Sequence, residues 1–443
     1  MRQEVLDKMN DLISYAKDAG ADECDVISSK GESLSLSAQN GAIDKFNVAG
    51  SSSIGIRVIK DNKVGLSYTE SMDVDALKFA AKKAVENSVC VGESPFESIK
   101  LENKQNLKEK KINNPTSLEE KKEFTLALEA DVKKRDSRIQ TVPYNGLSER
   151  TVEKYYLNSK NTHTFQNDHY YSCYTSALIN DGKKSSMNYH SSIAKTFNDL
   201  DKNNCVDQSY QHALNWLDAT SVETGRYNVI FTPDSFEELF GCFGGVFSGK
   251  AAMEKNNPFE EKVGKIVGHK ELIITDSPRF KEAFSEYYFD DEGFDQEDLC
   301  LLDKGELKTF YHNTKTASFF NLNTTARAAR GSKSALGVSG TNIVIHSGST
   351  EESNLLKDKY IEIHSMQGLH SGAKFMSGDF SFAASGYLKE NGQVLRPIKG
   401  ITVAGNFYNM LKNIAQIGNI QHGSTHRSFF TPLIKFSDMS VAG

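Results

Sequence analysis

The hydrophobic pattern of residues 1–95 changes between helical and strand periodicity. Apolar residues recur every three to four positions over 4–19 and stop at Gly20, which predicts an amphipathic helix. The alternating stretches SSIGIRVIK and KVGLSYTE then flank Asp61-Asn62, which predicts a hairpin. A second helix is predicted from about Val74 to Asn87. Together these elements predict an N-terminal α+β domain over residues 1–95.

The next part of the chain combines one helix signal with long alternating stretches. Segment 98–114 is rich in lysine and asparagine, which predicts an exposed connection rather than a nucleic-acid contact. Ser117 and Glu120 have the spacing of a capping box, so a helix is predicted up to about Lys134. Tyrosine- and threonine-rich stretches over 151–181 then predict an antiparallel meander whose tyrosines pack on the sheet faces. We therefore predict a central domain over residues 96–222.

A phenylalanine-rich helix opens the third part, and short strand patterns fill the rest of it. The spacing Ser235-x-x-Glu238 predicts the cap of this helix. Three glycines interrupt the helix and predict a close approach of another backbone, because glycine is unfavourable in a helix interior; they are Gly241, Gly244 and Gly245. Strand patterns from residue 260 onwards include a hairpin on Asn391-Gly392 and predict a large, mostly antiparallel structure.

The predicted fold class is therefore α+β. N-terminal α/β units with antiparallel sheet precede a C-terminal β-rich domain over residues 223–443, which we expect to be a large, mostly antiparallel barrel or sandwich.

Composition and charge exclude several classes of function. The chain has 443 residues, of which 38% are hydrophobic, so it can bury sizeable cores and is not disordered. The formal net charge of −6 argues against a general nucleic-acid coat, which needs a basic face. There is neither an apolar run near the roughly 18 residues that span a bilayer nor a signal-peptide core. We therefore expect a cytoplasmic protein that binds neither nucleic acid nor membrane.

The cysteines and most histidines carry no recognisable metal motif. The six cysteines lie far apart without a C-x-x-C pair, so we expect free thiols. None of the 11 histidines precedes a glutamate, so the helical zinc-hydrolase motif is absent. His422 and His426 lie four residues apart, and a third ligand could come from His364, His370 or Glu362. Nearby glycines favour loop histidines over a metal site.

Two further groups of residues have a possible chemical role. Asp290, Asp291 and Glu292 precede a glycine and could serve as a general base, as cation ligands or as turn-capping acids. Segment 244–250 (GGVFSGK) nearly matches a phosphate-binding loop. Its next residue is Ala251, which has no hydroxyl for magnesium, and its glycines end a helix rather than follow a strand, so we reject that motif.

The C-terminal third resembles the TldD/PmbA family of bacterial peptidase-related proteins, once called modulators of DNA gyrase. The matching positions are Gly378-Asp379, Gly386-Tyr387-x-x-Glu390-Asn391-Gly392, Pro397, Ile401-Thr402-x-Ala404-Gly405-Asn406 and Ile417-Gly418-Asn419. The stretches FDDEG, SAQNGAIDKFN and SSSIGIRVIKDNKVG fit as well. The resemblance covers essentially the whole chain, with residues 90–220 the least distinctive part.

The two branches of this family differ at one helix. TldD-type chains carry H-E-x-x-x-H there and complete a zinc site with a later cysteine, whereas PmbA-type (TldE-type) chains lack it and resemble the non-metal partner in a two-subunit peptidase. Here the histidine positions fall on Phe240 and Gly245, and the glutamate position falls on Gly241. The cysteine position falls at or near His422. Phenylalanine and glycine neither bind zinc nor transfer protons, so the resemblance implies the PmbA branch.

The resemblance implies a subunit without catalytic or metal-binding residues of its own, which holds unfolded peptide for a TldD-like partner. Zinc is expected on that partner and no cofactor in this chain, which could form a homo-oligomer when alone. The candidates for peptide binding or a degenerate site are Phe240, Gly241, Gly245, Gly378, Asp379 and His422.

Two other functions stay open. The first is a self-sufficient peptidase with an atypical metal site at His422, His426 and the acids of 290–292. The second is a non-proteolytic regulatory protein that binds gyrase or another protein, since the acidic net charge suits a protein partner better than DNA.

Overall fold

The computed structural model of the protein describes residues 2–111 and 116–443. Its first part contains two helices and three strands in the predicted order. They are α1 (Arg2–Asp18), β1 (Glu23–Gln39), β2 (Ala42–Lys60), β3 (Lys63–Thr69) and α2 (Val74–Val89). The predicted hairpin is the β2–β3 pair, which closes on Lys60 and Lys63.

The central part adds two helices and four strands. They are β4 (Gln105–Lys108), α3 (Leu118–Arg135), β5 (Asn145–Asn158), β6 (His163–Asn180), β7 (Ser185–Ala194) and α4 (Lys202–Leu217). The capping box is confirmed, because Ser117 Oγ accepts the N–H of Glu120 at 3.2 Å and the Glu120 carboxylate accepts the N–H of Ser117 at 2.9 Å. The expectation of a plain exposed connection over 98–114 is wrong for β4, which pairs with β6. Residues 112–114 of that segment lie outside the described residues.

These strands form one seven-stranded sheet, in the order β3-β2-β1-β5-β6-β4, with β7 also paired to β6. The β1–β5 pairing therefore joins strands from both sides of residue 95, while the division into domains at 95 and 222 stays a prediction. Leu36, Leu147 and Cys173 lie on one face of the sheet and pack in one apolar cluster with Leu128 of α3. Helices α1 and α2 cover the same face further along, because Val26 and Leu157 cluster with Met9.

The C-terminal part begins with a strand and a helix and continues with short strands. Its helices are α5 (Pro233–Phe243), α6 (Gly249–Met253), α7 (Thr314–Phe319), α8 (Glu352–Leu355), α9 (Leu369–Gly372) and α10 (Phe407–Lys412). Its strands are β8 (Gly225–Phe231), β9 (Ile274–Asp276), β10 (Leu299–Asp303), β11 (Glu306–Leu307), β12 (Ala328–Ala329), β13 (Gly337–Val338), β14 (Ile343–Ile345), β15 (Lys359–Gln367), β16 (Ala373–Lys374), β17 (Asp379–Glu390), β18 (Gln393–Asn406), β19 (Ile414–Gly423) and β20 (Phe429–Ala442).

Eleven of these strands form a second sheet, with the order β11-β10-β9-β14-β20-β18-β17-β15-β8 and with β16 and β19 paired at its side. The predicted hairpin on Asn391-Gly392 joins β17 and β18, and both turn residues have positive φ, as a tight hairpin turn requires. The expectation of a barrel is wrong. The sheet is mixed, because β14–β20 and β8–β15 are parallel pairs, and as a whole it is not a closed barrel.

A buried cluster of charges connects the first sheet to loops of the C-terminal part. Arg57 of β2 contacts Asp25 of β1, Glu97 and Glu292, while Arg330 contacts Asp25 from the C-terminal part. Arg57 is 1% exposed and Asp25 0%. Because buried charges are tolerated only when they are paired, this cluster fixes the first sheet against the loops around residues 292 and 330.

Within the described residues, every helix is too short or too polar to cross a bilayer.

Candidate functional site

Helix α5 and the 3-10 turn that follows it carry the positions at which the family resemblance places the histidines and the glutamate of the zinc motif. The predicted cap at Ser235 is wrong, because the helix starts earlier: Thr232 is the N-cap and accepts the N–H of Ser235 at 3.3 Å, and Pro233 follows at the first helical position. The helix buries Phe236, Leu239, Phe240 and Phe243. Gly244–Phe247 continue it as a 3-10 turn, so the near match to a phosphate-binding loop does not follow a strand.

Phe240 is a core residue. It is 6% exposed, and its ring lies 5.4 Å from that of Phe429 and 5.9 Å from that of Phe247, measured between centroids. Gly241 and Gly245 lie on the exposed side of the helix. A Cβ at Gly241 would meet nothing within 4 Å, whereas a Cβ at Gly245 would lie 3.0 Å from the ring of Phe375. A Cβ at Gly244 would lie 3.6 Å from the ring of Phe240. Among the described residues, the expected close approach of another backbone is therefore absent at all three glycines, and the tight contact at Gly245 is made by a side chain.

Gly378 and Asp379 join the same region through aromatic contacts. Gly378 has a φ of +84°, and a Cβ there would lie 2.4 Å from Tyr408 Cδ2. The Tyr408 hydroxyl donates to the carbonyl of Phe375 at 2.5 Å, which links Gly378 to the ring beside Gly245. Asp379 accepts Asn406 Nδ2 at 2.8 Å and Ser377 Oγ at 2.8 Å. These hydrogen bonds hold the pKa of Asp379 below its usual value.

His422 belongs to a different surface. It lies in β19 opposite Thr431, and its Nε2 contacts the carboxylate of Glu352 in α8. His364 is paired with Glu362, at 2.6 Å between Nε2 and Oε1. His426 follows in the β19–β20 turn. Among residues 2–111 and 116–443, no three His, Cys, Asp or Glu side chains are placed so that they could hold a metal ion.

The acids of the FDDEG stretch are engaged in structural contacts. Asp290 accepts the N–H groups of Glu292, Phe294 and Ala328, each at 3.0 Å. Asp291 contacts Lys154 Nζ at 2.5 Å, and Glu292 contacts Arg57. Burial raises the pKa of Asp290 and that of Glu292, while the Arg57 guanidinium opposes the shift at Glu292. The turn-capping interpretation therefore describes Asp290, and the other two acids hold this loop of the C-terminal part against the first sheet.

A long depression begins on the face of the first sheet opposite its helices and continues past the edge strand β7 to Asn204 of α4. Three adjoining clefts of about 270, 620 and 630 Å³ share lining residues, and we call them together the trough. The first two share Tyr144 and Tyr174, and the second and third share segment 191–193 of β7. The third ends at segment 421–425, which includes His422. His422 is thus the one of the six candidate residues that lines the trough.

The middle of the trough is apolar and its ends are polar. Tyr174 is 42% exposed, Met187 46% and Tyr189 68%. Tyr174 pairs with Ser191, and Tyr189 and Met187 lie two and four residues from Ser191 along β7, so all three side chains project from the same sheet face. Strand β7 lies at the edge of the sheet, and no described strand pairs with its outer side. At the far end, burial lowers the pKa of His190, so this histidine is uncharged at neutral pH.

Sequence reasoning did not single out Met187 or Tyr189, although the alternation within β7 contained the signal. The prediction that the tyrosines pack on sheet faces holds for Tyr155 and Tyr171, which are 3% and 2% exposed. Tyr174 departs from it, because its face of the sheet carries no helix.

Comparisons with known proteins agree with the resemblance. Models of the PmbA/TldA metallopeptidase match domain 1 over residues 24–88, the central domain over 111–215 and the C-terminal domain over 224–443. A Haemophilus influenzae protein named metalloprotease PmbA homolog is 23% identical over 453 aligned residues, which cover 100% of this chain and 96% of that protein.

Two solved structures share the fold. A Thermotoga maritima protein described as a modulator of a DNA gyrase superposes with a TM-score of 0.85 at 25% identity, covering 99% of this chain and 100% of that one. TldE from Thermococcus kodakarensis gives a TM-score of 0.83 at 20% identity, with 98% and 100% covered, and shows the fold alone. Together with the matching domain models, these findings show that the chain belongs to the PmbA/TldD family of metallopeptidase-like proteins.

Proposed function

We propose that the chain is the PmbA/TldE-type subunit of a two-subunit zinc peptidase and holds unfolded peptide in the trough. In this proposal the zinc and the bond cleavage belong to a TldD-like partner, and the chain itself contains neither a metal ligand nor a catalytic residue.

The observation that carries the proposal is the identity of the residues at three positions of α5 and the 3-10 turn that follows it. Zinc sites use histidine, cysteine or carboxylate ligands, and catalytic ones commonly place them on one helix face. Here Phe240 turns its ring into the aromatic core, and Gly241 and Gly245 present only backbone to the surface. These residues do not fit zinc, because no donor atom stands at any of the three positions.

The trough supplies the features that an extended peptide needs. The unpaired outer edge of β7 can donate and accept main-chain hydrogen bonds, which do not depend on the peptide's sequence. Tyr174, Met187 and Tyr189 offer apolar contact beside that edge. An unfolded peptide exposes both main chain and apolar side chains, so both features favour it over a folded substrate.

The two alternatives receive less support. A self-sufficient metal site would need His422 together with the acids of 290–292, but His422 contacts Glu352 and Glu292 contacts Arg57. A regulator of gyrase without proteolysis would leave the trough unexplained. It is suggested by the acidic net charge and by the description of solved structures such as the Thermotoga maritima relative as a modulator of a DNA gyrase.

The test combines elemental analysis of the purified chain with peptidase assays on unfolded casein. Assays are run with the chain alone, with a TldD-type protein alone, and with the two mixed. We expect no stoichiometric zinc in the chain and cleavage that appears or rises strongly on mixing. Stoichiometric zinc with cleavage by the chain alone would contradict the proposal.

A pair of variants tests whether the trough is the peptide site. Tyr189→Ser removes an exposed ring within the trough, and Phe79→Ser removes a ring that is 62% exposed on α2, outside the trough. We expect the KM of the mixed enzyme to rise about threefold or more for Tyr189→Ser, since an apolar contact of this kind contributes roughly 1 kcal/mol. Equal KM values for both variants would exclude the trough as the peptide-binding site.

A further inference from the structure

A second cleft lies beside the trough and is strongly basic. It has a volume of about 540 Å³ and lies between two segments on one side, residues 168–169 of β6 and residues 195–196 just after β7, and segment 279–286 on the other. We call it the basic cleft. Its charged lining residues are Lys110, Lys111, Lys195, Arg279, Lys281, Asp168 and Glu286. Five cations therefore face two carboxylates in a chain whose formal net charge is −6.

Four of these residues form the wall of the cleft and are paired with one another. Lys195 Nζ contacts Asp168 Oδ2 at 2.7 Å and lies 4.0 Å from the ring centroid of Phe284. Lys110 Nζ lies 3.2 Å from Glu286 Oε2 and 3.8 Å from Asp168 Oδ1. Both lysines thus share the carboxylate of Asp168, and burial lowers the pKa of Lys195 despite that contact.

The backbone of this wall is fixed as well. The N–H of Lys110 donates to Asn167 Oδ1 at 2.7 Å, and Asn167 Nδ2 donates to the carbonyl of Lys110 at 2.9 Å. The backbone of Lys110, just after β4, is therefore held against β6, and this fixes where its charge lies in the cleft.

Two lysines at the rim carry the excess positive charge. Lys111 and Lys281 are exposed, and neither has a carboxylate partner within residues 2–111 and 116–443. Arg279 is paired with Glu297 at 2.8 Å. Because opposite charge within a few ångströms stabilises a cation, the two rim lysines favour an anion that comes from outside the chain.

The basic cleft is continuous with the trough. Phe280 lines both, and its ring lies 4.6 Å from that of Phe430, which lines the trough. The N–H of Phe284 donates to the carbonyl of Arg427 at 2.9 Å, so segment 280–284 is attached to the β19–β20 turn at the trough's end. A chain that leaves the trough past Phe280 reaches the basic cleft.

We infer that the basic cleft binds an acidic segment at one end of the peptide that the trough holds, so that peptides with a run of Asp or Glu are preferred. The inference rests on the proposed function. Four of the five cations are lysines on flexible stems, which suit carboxylates spread along a mobile chain. A phosphate site commonly adds N–H groups of a helix N-terminus, and none of the described residues that line this cleft lies in a helix.

The test measures the binding of fluorescein-labelled peptides to the full-length chain by anisotropy. Each peptide has roughly twelve residues, about 40 Å when extended, with a Ser/Ala/Phe body and a flank of aspartates, asparagines or lysines at either end. We expect the aspartate flank to bind about five- to tenfold more tightly than the asparagine flank, as two or three partly exposed charge pairs allow. The preference should fall with salt, because the screening length is about 8 Å at 0.15 M.

Matched charge reversals locate the preference. The double variant Lys111→Glu/Lys281→Glu should abolish the aspartate preference and leave the binding of the asparagine peptide unchanged. The control Lys262→Glu/Lys270→Glu changes the net charge equally at two exposed lysines outside the cleft and should keep the preference.

Each contrary result has a distinct meaning. An aspartate preference that both double variants lose equally would show a general charge effect and would overturn the inference. A second result would also overturn the inference: the Asp- and Asn-flanked peptides bind equally well, and inorganic tripolyphosphate nevertheless displaces the Asp-flanked peptide. If the asparagine peptide binds and no flank matters, the inference fails and the proposed function stands. If no peptide binds even with a TldD-type partner present, both fail.

Discussion

Arg57 is a buried cation that helps to hold the first sheet to the C-terminal part of the chain. Its Nε lies 3.0 Å from Asp25 Oδ2, its Nη1 3.1 Å from Glu97 Oε2 and its Nη2 3.4 Å from Glu292 Oε1. The substitution Arg57→Met keeps part of the apolar length of the side chain and removes all three contacts. We expect it to destabilise the protein, because carboxylates would stay buried without their cation.

The size of the effect follows from what each acid retains. Asp25 keeps its contact with Arg330, and Glu97 keeps Lys315 Nζ at 3.1 Å. Glu292 loses its salt bridge and keeps the N–H of Thr314 at 2.8 Å. Breaking a buried ion pair typically costs about 3–5 kcal/mol. Since two of the three acids keep a cation, we expect the lower end, about 3 kcal/mol in the free energy of unfolding.

Urea unfolding followed by far-UV circular dichroism measures this loss. The control is Arg226→Met, because the Arg226 side chain is 65% exposed and lies 3.9 Å from Asp438. Exposed pairs of this kind contribute at most about 1 kcal/mol. A loss for Arg57→Met no larger than the control's would refute the reasoning, provided that the slope of the transition is the same in both variants.

The pH dependence gives a second check on the same variant. Burial raises the pKa of Glu292 and Arg57 opposes that shift, so removing Arg57 raises the pKa of Glu292 in the folded protein further. A carboxyl whose folded pKa exceeds its unfolded value costs stability above that pKa and regains it as the pH falls towards the unfolded value. The deficit of Arg57→Met should therefore be smaller near pH 5 than near pH 8.

Three further predictions concern local features. Gly378→Ala should cost roughly 2 kcal/mol more than Gly400→Ala by urea unfolding, because both residues have positive φ but only at Gly378 would the new Cβ meet a neighbour, Tyr408 at 2.4 Å. Phe243→Ala should cost about 3–5 kcal/mol and Phe46→Ala under about 0.5 kcal/mol, because Phe243 is 0% exposed and Phe46 52%. Burial and a neighbouring histidine lower the pKa of His212 to about 4, so the stability of the folded protein should fall as the pH drops from 6.5 towards 4. The variant His212→Phe should flatten the dependence of the melting temperature on pH in this range.

Elements with a local signal were predictable from the sequence. The capping box at Ser117 and the hairpin on Asn391-Gly392 depend on residues that are neighbours in the chain, and both are confirmed. The cap of α5 was misplaced because Thr232 and Pro233 compete with Ser235 for the same helix start, and proline favours the first helical position. Strand β4 was missed because its stability comes from parallel pairing with β6, far along the chain, rather than from its own apolar content.

The candidate site was predictable only in part, because it depends on contacts between distant segments. Gly245 and Gly378 are joined through Phe375 and Tyr408, and no local pattern relates those four positions. His422 was chosen by resemblance with the α5 residues, yet its side chain contacts Glu352 and lines the trough. A period-two pattern shows that one side of a strand is apolar, but not whether its other side meets solvent or another part of the chain.

The trough itself follows from how the first sheet distributes its side chains. All four helices of the first two parts cover one face, where the apolar residues of β1, β5 and β6 point. The opposite face carries small polar residues such as Ser35 of β1 and the hydrogen-bonded pair Ser148 and Ser172, at 2.7 Å between their hydroxyls. Such a surface gains little from burial, so it stays open where the C-terminal part does not reach. The charges around Arg57 fix one end of that face against the C-terminal part, and the contacts of segment 280–284 hold the β19–β20 turn at its margin. The same alternation that builds the core therefore leaves a long open groove at the place where we propose that peptide binds.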